Sequence, residues 1–594
     1  MTETAPRTPS STDLPAWPVL SLAQAHAALT AAGSPFEIET IQIDGRPVKW
    51  WKNAPPTLRH TFMAAKAHGE KAFIVYEDDR VSFDAFMRAS LALAAELQAA
   101  GVQPGDRVAL AMRNLPEWPV AFFAGVLTGA VVVALNAWWS GPELLYGLTD
   151  SGSTVAIMDP ERLARIEPLL GGAPDVARLY VCRADAEPTD PRVRTLESVI
   201  GRPADWPSLP EGALPAVAID PEDPAVLFYT SGTSGVPKGA LGTHRNAGCS
   251  LMGAQFSAVR SLIRRGEAPP QPDPTAPQRV SLVSIPFFHT TGCNAGLLTA
   301  VALGHRLVCQ PRFDPVEACA LIEREGIQTI GGVPSVAIAI LSSPARRHHD
   351  MSSIEVVAYG GAPAPETLVC KIAADMKAAP GSGWGMTETS AAHTHHMAED
   401  YLNRPLSCGP AMPVSEVKVV DESGASLPAG EVGELMAYGP NVVKGYWNKP
   451  KDTAETFIDG WVRTGDIARI DEEGFVFIVD RKKDVIIRGG ENIYCQEVED
   501  ILYAHPAVVE AALVSRSHPL LGEEAVAFVS LLPGQTVEPE TLRAFVAERL
   551  AAFKVPAEVR ISSFMLPRNA AGKIVKPDLK AALAREGARR ETAQ

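Results

Sequence analysis

Tyr229-Thr230-Ser231-Gly232-Thr233-Ser234-Gly235-Val236-Pro237-Lys238-Gly239 gathers three glycines, four serines or threonines and one lysine into eleven positions. An apolar run, Ala225-Val226-Leu227-Phe228, leads directly into it. Glycine lets backbone N–H groups turn toward a ligand, hydroxyls donate to anionic oxygens, and lysine adds a point charge. Together these are the parts of a polyphosphate cradle at the end of a strand. The spacing is not that of a Walker loop, because Gly239 rather than a hydroxyl follows Lys238 and Pro237 precedes it. A flexible linker is the competing reading, but linkers rarely follow an apolar strand or end on a single basic residue. The stretch therefore points to chemistry on a phosphate ester.

A loop of this kind needs a strand behind it and a sheet around that strand. Short apolar strands at 107–112, 130–135, 154–158 and 179–182 alternate with helical stretches at 82–100 and 117–127. This alternation predicts parallel sheets covered by helices on both faces, with ligands beyond the carboxyl ends of the strands. Two segments break the pattern. Residues 184–210 and 264–278 are rich in proline and read as a surface connection and a disordered loop. Beyond Gly409 short Val-rich strands appear. From about residue 483 a separate small α/β unit is expected, with Val498, Ile501 and Leu502 on one helical face and Leu542, Phe545 and Val546 on another.

At 594 residues the chain exceeds one core. Residues 1–55 read as a partly disordered N-terminal extension, 56–482 as a large domain and 483–594 as a small C-terminal domain. A net charge of −15 argues against nucleic acid as a partner. Eight cysteines scattered without a Cys-x-x-Cys pair argue against disulfides and structural zinc and fit a reducing cytoplasm. No apolar run approaches the ~20 residues of a membrane span. Residues 118–137 read instead as a buried helix leading into a strand. His393, His395 and His396 read as a solvated or capping cluster in a loop rather than a metal site.

Further stretches, taken with Tyr229–Gly239, resemble the adenylate-forming superfamily of acyl-CoA synthetases, luciferases and peptide-synthetase adenylation domains. In order they are Pro286-Phe287-Phe288-His289-Thr290-Thr291-Gly292, Gly360-Gly361-Ala362-Pro363 and Gly383-Trp384-Gly385-Met386-Thr387-Glu388-Thr389. Gly460–Asp466, Asp480–Asp484, Gly489–Ile493 and Pro567–Lys573 follow. The resemblance implies an α/β fold with a large N-terminal domain of stacked α/β sheets and a small mobile C-terminal α+β domain. It also implies two steps, in which a carboxylate attacks the α-phosphorus of ATP to give acyl-adenylate and pyrophosphate, and a thiol then takes the acyl group as AMP leaves.

On that resemblance Thr230, Ser231, Gly232, Thr233, Ser234 and Lys238 hold the leaving phosphates. Glu388 offers a hard oxygen to Mg2+, with Thr387 beside the α-phosphate. Gly361, Ala362 and Pro363 leave a slot for the purine, Gly383 and Gly385 flank it, and Trp384 stands where relatives more often have Tyr and would stack on the base. Asp466 and Arg481 serve the ribose, Lys573 stabilises the pentacovalent centre, and His289 contacts the carboxylate. Lys483 falls at the hinge, and Gly489-Gly490 lets the thiol's pantetheine arm pass. Cys495 reads as a buried small residue and not a nucleophile.

The acyl pocket is expected among residues 329–335, 359–362 and 383–389, where Gly331, Gly332, Gly360 and Gly361 leave room. No Asp or Lys stands there to pair an amino acid's ammonium group. A medium- or long-chain fatty acid is the expected substrate, with an aryl or alicyclic acid as the alternative. The short stretch after Lys573 leads to the expectation of no fused carrier domain, with CoA the expected acceptor and a separate carrier protein the rival. A light-emitting oxygenase and a non-catalytic nucleotide-binding protein are readings from other classes. The second conflicts with the joint presence of Lys238, Glu388, Asp466, Arg481 and Lys573. A homodimer is compatible with the sequence.

Overall fold

The computed structural model describes residues 17–591 except 185–187, 189, 231–235, 270, 272, 274, 363, 533, 563, 570 and 571, and the side chains of 587–591. Two large sheets dominate. The first has seven strands in the spatial order Lys238–Thr243, Pro224–Thr230, Val131–Ala134, Arg107–Ala111, Val155–Met158, Arg178–Val181 and Val193–Thr195. All neighbours are parallel except the antiparallel edge strand that begins at Lys238. The second has eight strands: Ala391–Met397, Ala379–Met386, Val356–Gly360, Thr329–Gly332, Val280–Val283, Arg306–Cys309, Ala72–Tyr76 and Asp79–Ser82. Its two outermost strands run antiparallel to a parallel interior.

Helices between the sheets make the main core. Every residue of Glu117–Leu127 is buried, and this helix joins Ile74 and Leu307 of one sheet to Val108 and Val132 of the other. The period of two is visible in Val131–Ala134, where Val132 and Ala134 face that core and Val131 and Val133 face the helices on the outer side. Helix Phe83–Ala99 starts where Ser82 accepts from Ala85 N. Helix His244–Arg264 starts from a capping box between Thr243 and Asn246.

A third, antiparallel sheet (Glu416–Val420, Gly433–Tyr438, Trp461–Ile470, Phe457–Ile458 and Val476–Arg481) leans on the second. The C-terminal unit has its own sheet of Glu491–Ile493, Ile486–Arg488, Gly522–Leu531, Val508–His518 and Glu558–Ser562, with a core that includes Val498, Leu502, Leu513 and Leu542. Within the expected N-terminal extension, helix Leu22–Leu29 and the hairpin Ile38–Ile43/Arg46–Trp51 pack Trp50 and Trp51 against Cys249 and Phe256. Residues 1–16 lie outside the described residues.

Two expectations fail. The 184–210 stretch is not merely a surface connection, since it supplies the edge strand Val193–Thr195 and buries Trp206 completely. The three histidines are not in a solvated loop. They lie on strand Ala391–Met397, where burial drives the His393 and His395 imidazoles down to about 4. Among the described residues no cluster of His, Cys, Asp and Glu could hold a metal, all eight cysteines are free, and no helix is long and apolar enough to cross a membrane.

Candidate active site

The cleft lies where the parallel strands of both sheets end. Strand Pro224–Thr230 delivers Thr230, and Lys238 re-enters directly opposite it as the first residue of the antiparallel strand. Ser231, Gly232, Thr233 and Ser234 lie outside the described residues, as does Pro363. The Lys238 ammonium pairs with Asp452 and sits 5.2 Å from the centre of the Tyr446 ring. The Tyr446 hydroxyl donates to Glu388 Oε1 at 2.6 Å. Glu388 follows strand Ala379–Met386 on a single tight turn, Thr387–Thr389, and burial pushes its carboxyl up while Tyr446 opposes that shift. Behind it Ser390 and Ala391 take φ of 51° and 94°, a left-handed path that costs non-glycine residues energy. Ser250 Oγ and Asn294 Nδ2 hold that bend by donating to the Ser390 carbonyl at 2.7 and 3.1 Å.

On the other wall Trp384 Nε1 donates to Asp466 Oδ2 at 2.7 Å, and Arg481 lies 3.2 Å from Asp466 Oδ1 on the neighbouring strand. Lys573 enters from the C-terminal unit. A β-carbon at Gly361 would come within 3.1 Å of its Cε, so the lysine lies against the glycine turn that ends strand Val356–Gly360. Burial, reinforced by Arg481, lowers the Lys573 ammonium to about 8, with Asp466 and Glu388 opposing. Burial and then the Lys573 charge bring His289 down to about 4, so its imidazole is neutral, and its buried Nε2 has no partner among the described residues. Cations thus converge on a space that also holds a buried carboxylate and a neutral imidazole. Such a site suits a reaction that builds negative charge on phosphorus.

Residues 62–447 match the family model of the AMP-binding enzyme, and residues 497–573 match that of the AMP-binding enzyme C-terminal domain. The chain belongs to the AMP-binding enzymes. A feruloyl-CoA synthase of Amycolatopsis sp is 35% identical over 492 residues, which cover 82% of this chain and 91% of that protein. A long-chain-fatty-acid–CoA ligase of Bacillus subtilis is 32% identical over 533 residues, covering 85% and 91%. Among solved structures, an anthranilate CoA ligase in complex with anthranoyl-AMP superposes with a TM-score of 0.78 at 25% identity, covering 89% of this chain and 98% of that one. This member is adenylate-forming, of the acyl-CoA synthetase type, and so an AMP-forming acid–thiol ligase.

In this AMP-binding enzyme Lys238, Thr387, Glu388, Gly361, Ala362, Asp466, Arg481, His289 and Lys573 all line one cleft. Gly383 and Gly385 line it too, but the sheet already demands glycine there. A β-carbon would lie 2.6 Å from the Thr394 carbonyl at Gly383 and 1.7 Å from the Ala391 carbonyl at Gly385, beside an irregularity in strand register. Gly489 and Gly490, at φ of 60° and 90°, form the two-residue turn of the hairpin Ile486–Arg488/Glu491–Ile493 and do not line the cleft. Lys483 is exposed in the turn after strand Val476–Arg481. Cys495 is buried at the start of helix Cys495–Tyr503, and burial pushes its thiol up, as an inert cysteine requires.

The sequence reading assigns no role to Tyr446, Asp452, Glu510 or Arg568. Arg568 donates to the Gly572 carbonyl and pairs with the buried Glu510, which also accepts from Leu566 N at 2.7 Å. That clamp shapes the loop carrying Lys573, whose backbone N donates to Asn569 Oδ1 at 3.0 Å. Only the Gly-Tyr-Trp run at 445–447 hinted at Tyr446, and an aromatic pair there reads equally well as core.

Proposed function

We propose that this enzyme condenses a medium- or long-chain fatty acid with ATP to acyl-adenylate and pyrophosphate, then passes the acyl group to CoA and releases AMP. One observation carries the chain-length reading. On the interior strands of the eight-stranded sheet the residues facing one side are only half-buried: Ser281, Val283, Gly331, Val356 and Ala358. Their neighbours Leu282, Ile330 and Val357 are buried on the other side. Interior strands with a solvated face mean a hollow, and small residues such as Ala254, Ala258, Ala295 and Gly296 line its helical side. From Gly360 at the cleft to Val356 the hollow follows four residues, about 13 Å at the usual rise. No ionised group among these residues would have to be neutralised by the acid.

In this reading the carboxylate lies between His289 and Lys573. Lys573 offsets the charge that develops as the carboxylate oxygen bonds to the α-phosphorus, and Thr387 donates to the same phosphate. Lys238 holds the departing pyrophosphate with the hydroxyls of residues 230–234. Asp466 and Arg481 position the ribose, with the Trp384 N–H fixing Asp466. Glu388 is suited to Mg2+, since a magnesium site needs only one or two carboxylates beside the phosphates, and the ion would neutralise phosphate charge. Lys483 serves as the hinge by which the C-terminal unit turns between steps, bringing the Gly489-Gly490 turn toward the pantetheine arm. Free cysteines fit a cytoplasmic enzyme.

The second reading, an aryl acid such as a cinnamate, draws support from the feruloyl-CoA synthase and the anthranilate ligase. Pyrophosphate release across an acid panel, with and without CoA, separates the two. Gly331→Leu sharpens the test, because a β-carbon there meets nothing within 4 Å and the added side chain projects into the hollow. The variant should lose long acids by at least ~10-fold against short ones. Turnover confined to aryl acids would replace the fatty-acid reading, and release only with a carrier protein would replace CoA.

A further inference from the structure

The side chains that hold Lys238 and Glu388 meet at a residue with no role in the reaction as described. Tyr446 donates to Glu388 Oε1 at 2.6 Å, and the face of the same ring lies 5.2 Å from Lys238 Nζ. The position is tightly built. Trp447 N donates to the Gly239 carbonyl at 2.7 Å, and Lys444 N and Leu241 N exchange bonds with Leu241 and Gly445 at 3.0 and 2.9 Å. The segment is thereby zipped to the strand that begins at Lys238. Tyr446 N donates to Thr453 Oγ1 at 2.9 Å, which fixes the helix bearing Asp452 against it.

We infer that Tyr446 is a positioning residue that orients Glu388 toward the metal of a metal–polyphosphate, and that Asp452 is the internal anion Lys238 must leave to bind that polyphosphate. The inference rests on the proposed roles of Lys238 and Glu388. Glu388 is buried, and Tyr446 supplies the side-chain hydrogen bond recorded for its carboxylate among the described residues. A donor fixed on Oε1 leaves Oε2 for a metal and restricts the carboxylate's rotation, as outer partners do for metal ligands generally. Asp452 is about one-third exposed and Lys238 more buried, so the ion pair sits at the rim of the cleft where an incoming phosphate can compete for the lysine. Both contacts pass through one aromatic ring, so the lysine and the carboxylate keep a fixed spacing without touching each other.

The test is calorimetric binding of α,β-methylene-ATP to the full chain, with Mg2+ and with a chelator. Wild-type enzyme should bind more tightly with Mg2+. Tyr446→Phe keeps the ring and should lose about tenfold of that metal-dependent gain, while binding in chelator stays within about twofold. Glu388→Gln should abolish the gain, and adding Tyr446→Phe to it should change nothing more, which a merely structural tyrosine would not produce. Asp452→Asn should tighten chelator-state binding of the analogue and of pyrophosphate about threefold, the scale of a partly exposed ion pair. A full metal-dependent gain in Tyr446→Phe, or unchanged or weaker binding in Asp452→Asn, overturns the inference while leaving the proposed reaction standing. Absence of any gain in wild-type enzyme removes the metal role of Glu388, and the inference falls with it.

Discussion

Lys238 and Lys573 bring the same charge into one cleft but rest on different supports. Lys238 opens an antiparallel strand, faces Thr230 in register, and is paired to Asp452 over the Tyr446 ring. Lys573 hangs in a loop of the C-terminal unit that Glu510 and Arg568 shape, with Gly572 at φ 77° close against Val333 of the large domain. The first lysine is held by the body of the sheet and has a counter-ion before any ligand arrives. The second is drawn down to about 8 because the cleft strips its water and Arg481 lies nearby, and among the described residues it has no salt-bridge partner. A fixed lysine with a resident anion suits holding a group that leaves. A desolvated lysine borne on the C-terminal unit suits a charge that exists only briefly, because its interaction strengthens as phosphorus becomes more negative.

The largest test of this contrast is Lys573→Ala. Adenylation should fall by at least ~10², while thioester formation from pre-made acyl-AMP survives. Equal loss of both half-reactions would mean that Lys573 is a general structural element, and the contrast would dissolve. Glu510→Gln comes next. It leaves Arg568 without its buried anionic partner and loosens the Lys573 loop. Adenylation should drop roughly 10- to 100-fold, the scale of a small misplacement of a reacting group. The second half-reaction and the ATP affinity should remain near wild type, and a parallel fall in ATP affinity would show that the clamp acts on more than Lys573. Lys238→Ala should behave oppositely, raising the KM for ATP about tenfold, the worth of one charge-assisted bond, with a smaller effect on kcat.

The two supports also differ in how readable they were. The strand that ends at Thr230 is a local apolar run, and strand–helix alternation placed it in a parallel sheet because the periods of side-chain burial are local. Most of the family-like motifs contribute residues to one cleft, while Gly489–Ile493 does not. What holds Lys238 was hidden, since Asp452 lies more than two hundred residues away and no short-range pattern marks such a partner. Gly383 and Gly385 were read toward the nucleotide, yet carbonyls of the adjoining strand leave no space for a side chain at either position. The histidine-rich stretch failed for a related reason. Composition alone reads as solvated, but His393 and His396 bond the Glu416 and Ser407 carbonyls at 3.0 and 2.9 Å, partners that lie beyond the strand itself.

The smallest expected effect tests the contrast by pH. At its ordinary value near 10.5 a lysine is charged throughout the neutral range, but in this cleft Lys573 titrates at about 8. Its charged form is therefore fully present below pH 7 and is lost as pH rises through 8. Adenylation at sub-saturating ATP should accordingly fall about fourfold between pH 7 and 8.5. Bound triphosphate favours the ammonium, so the limb should move to higher pH as ATP saturates. Lys573→Arg supplies the control, because a guanidinium does not deprotonate in this range; it should be slower at every pH yet show no alkaline limb below pH 9. Thioester formation from pre-made acyl-AMP should show no such limb. An unchanged limb in Lys573→Arg would assign the titration to another group and remove the distinction between a lysine with a resident anion and one desolvated in the cleft.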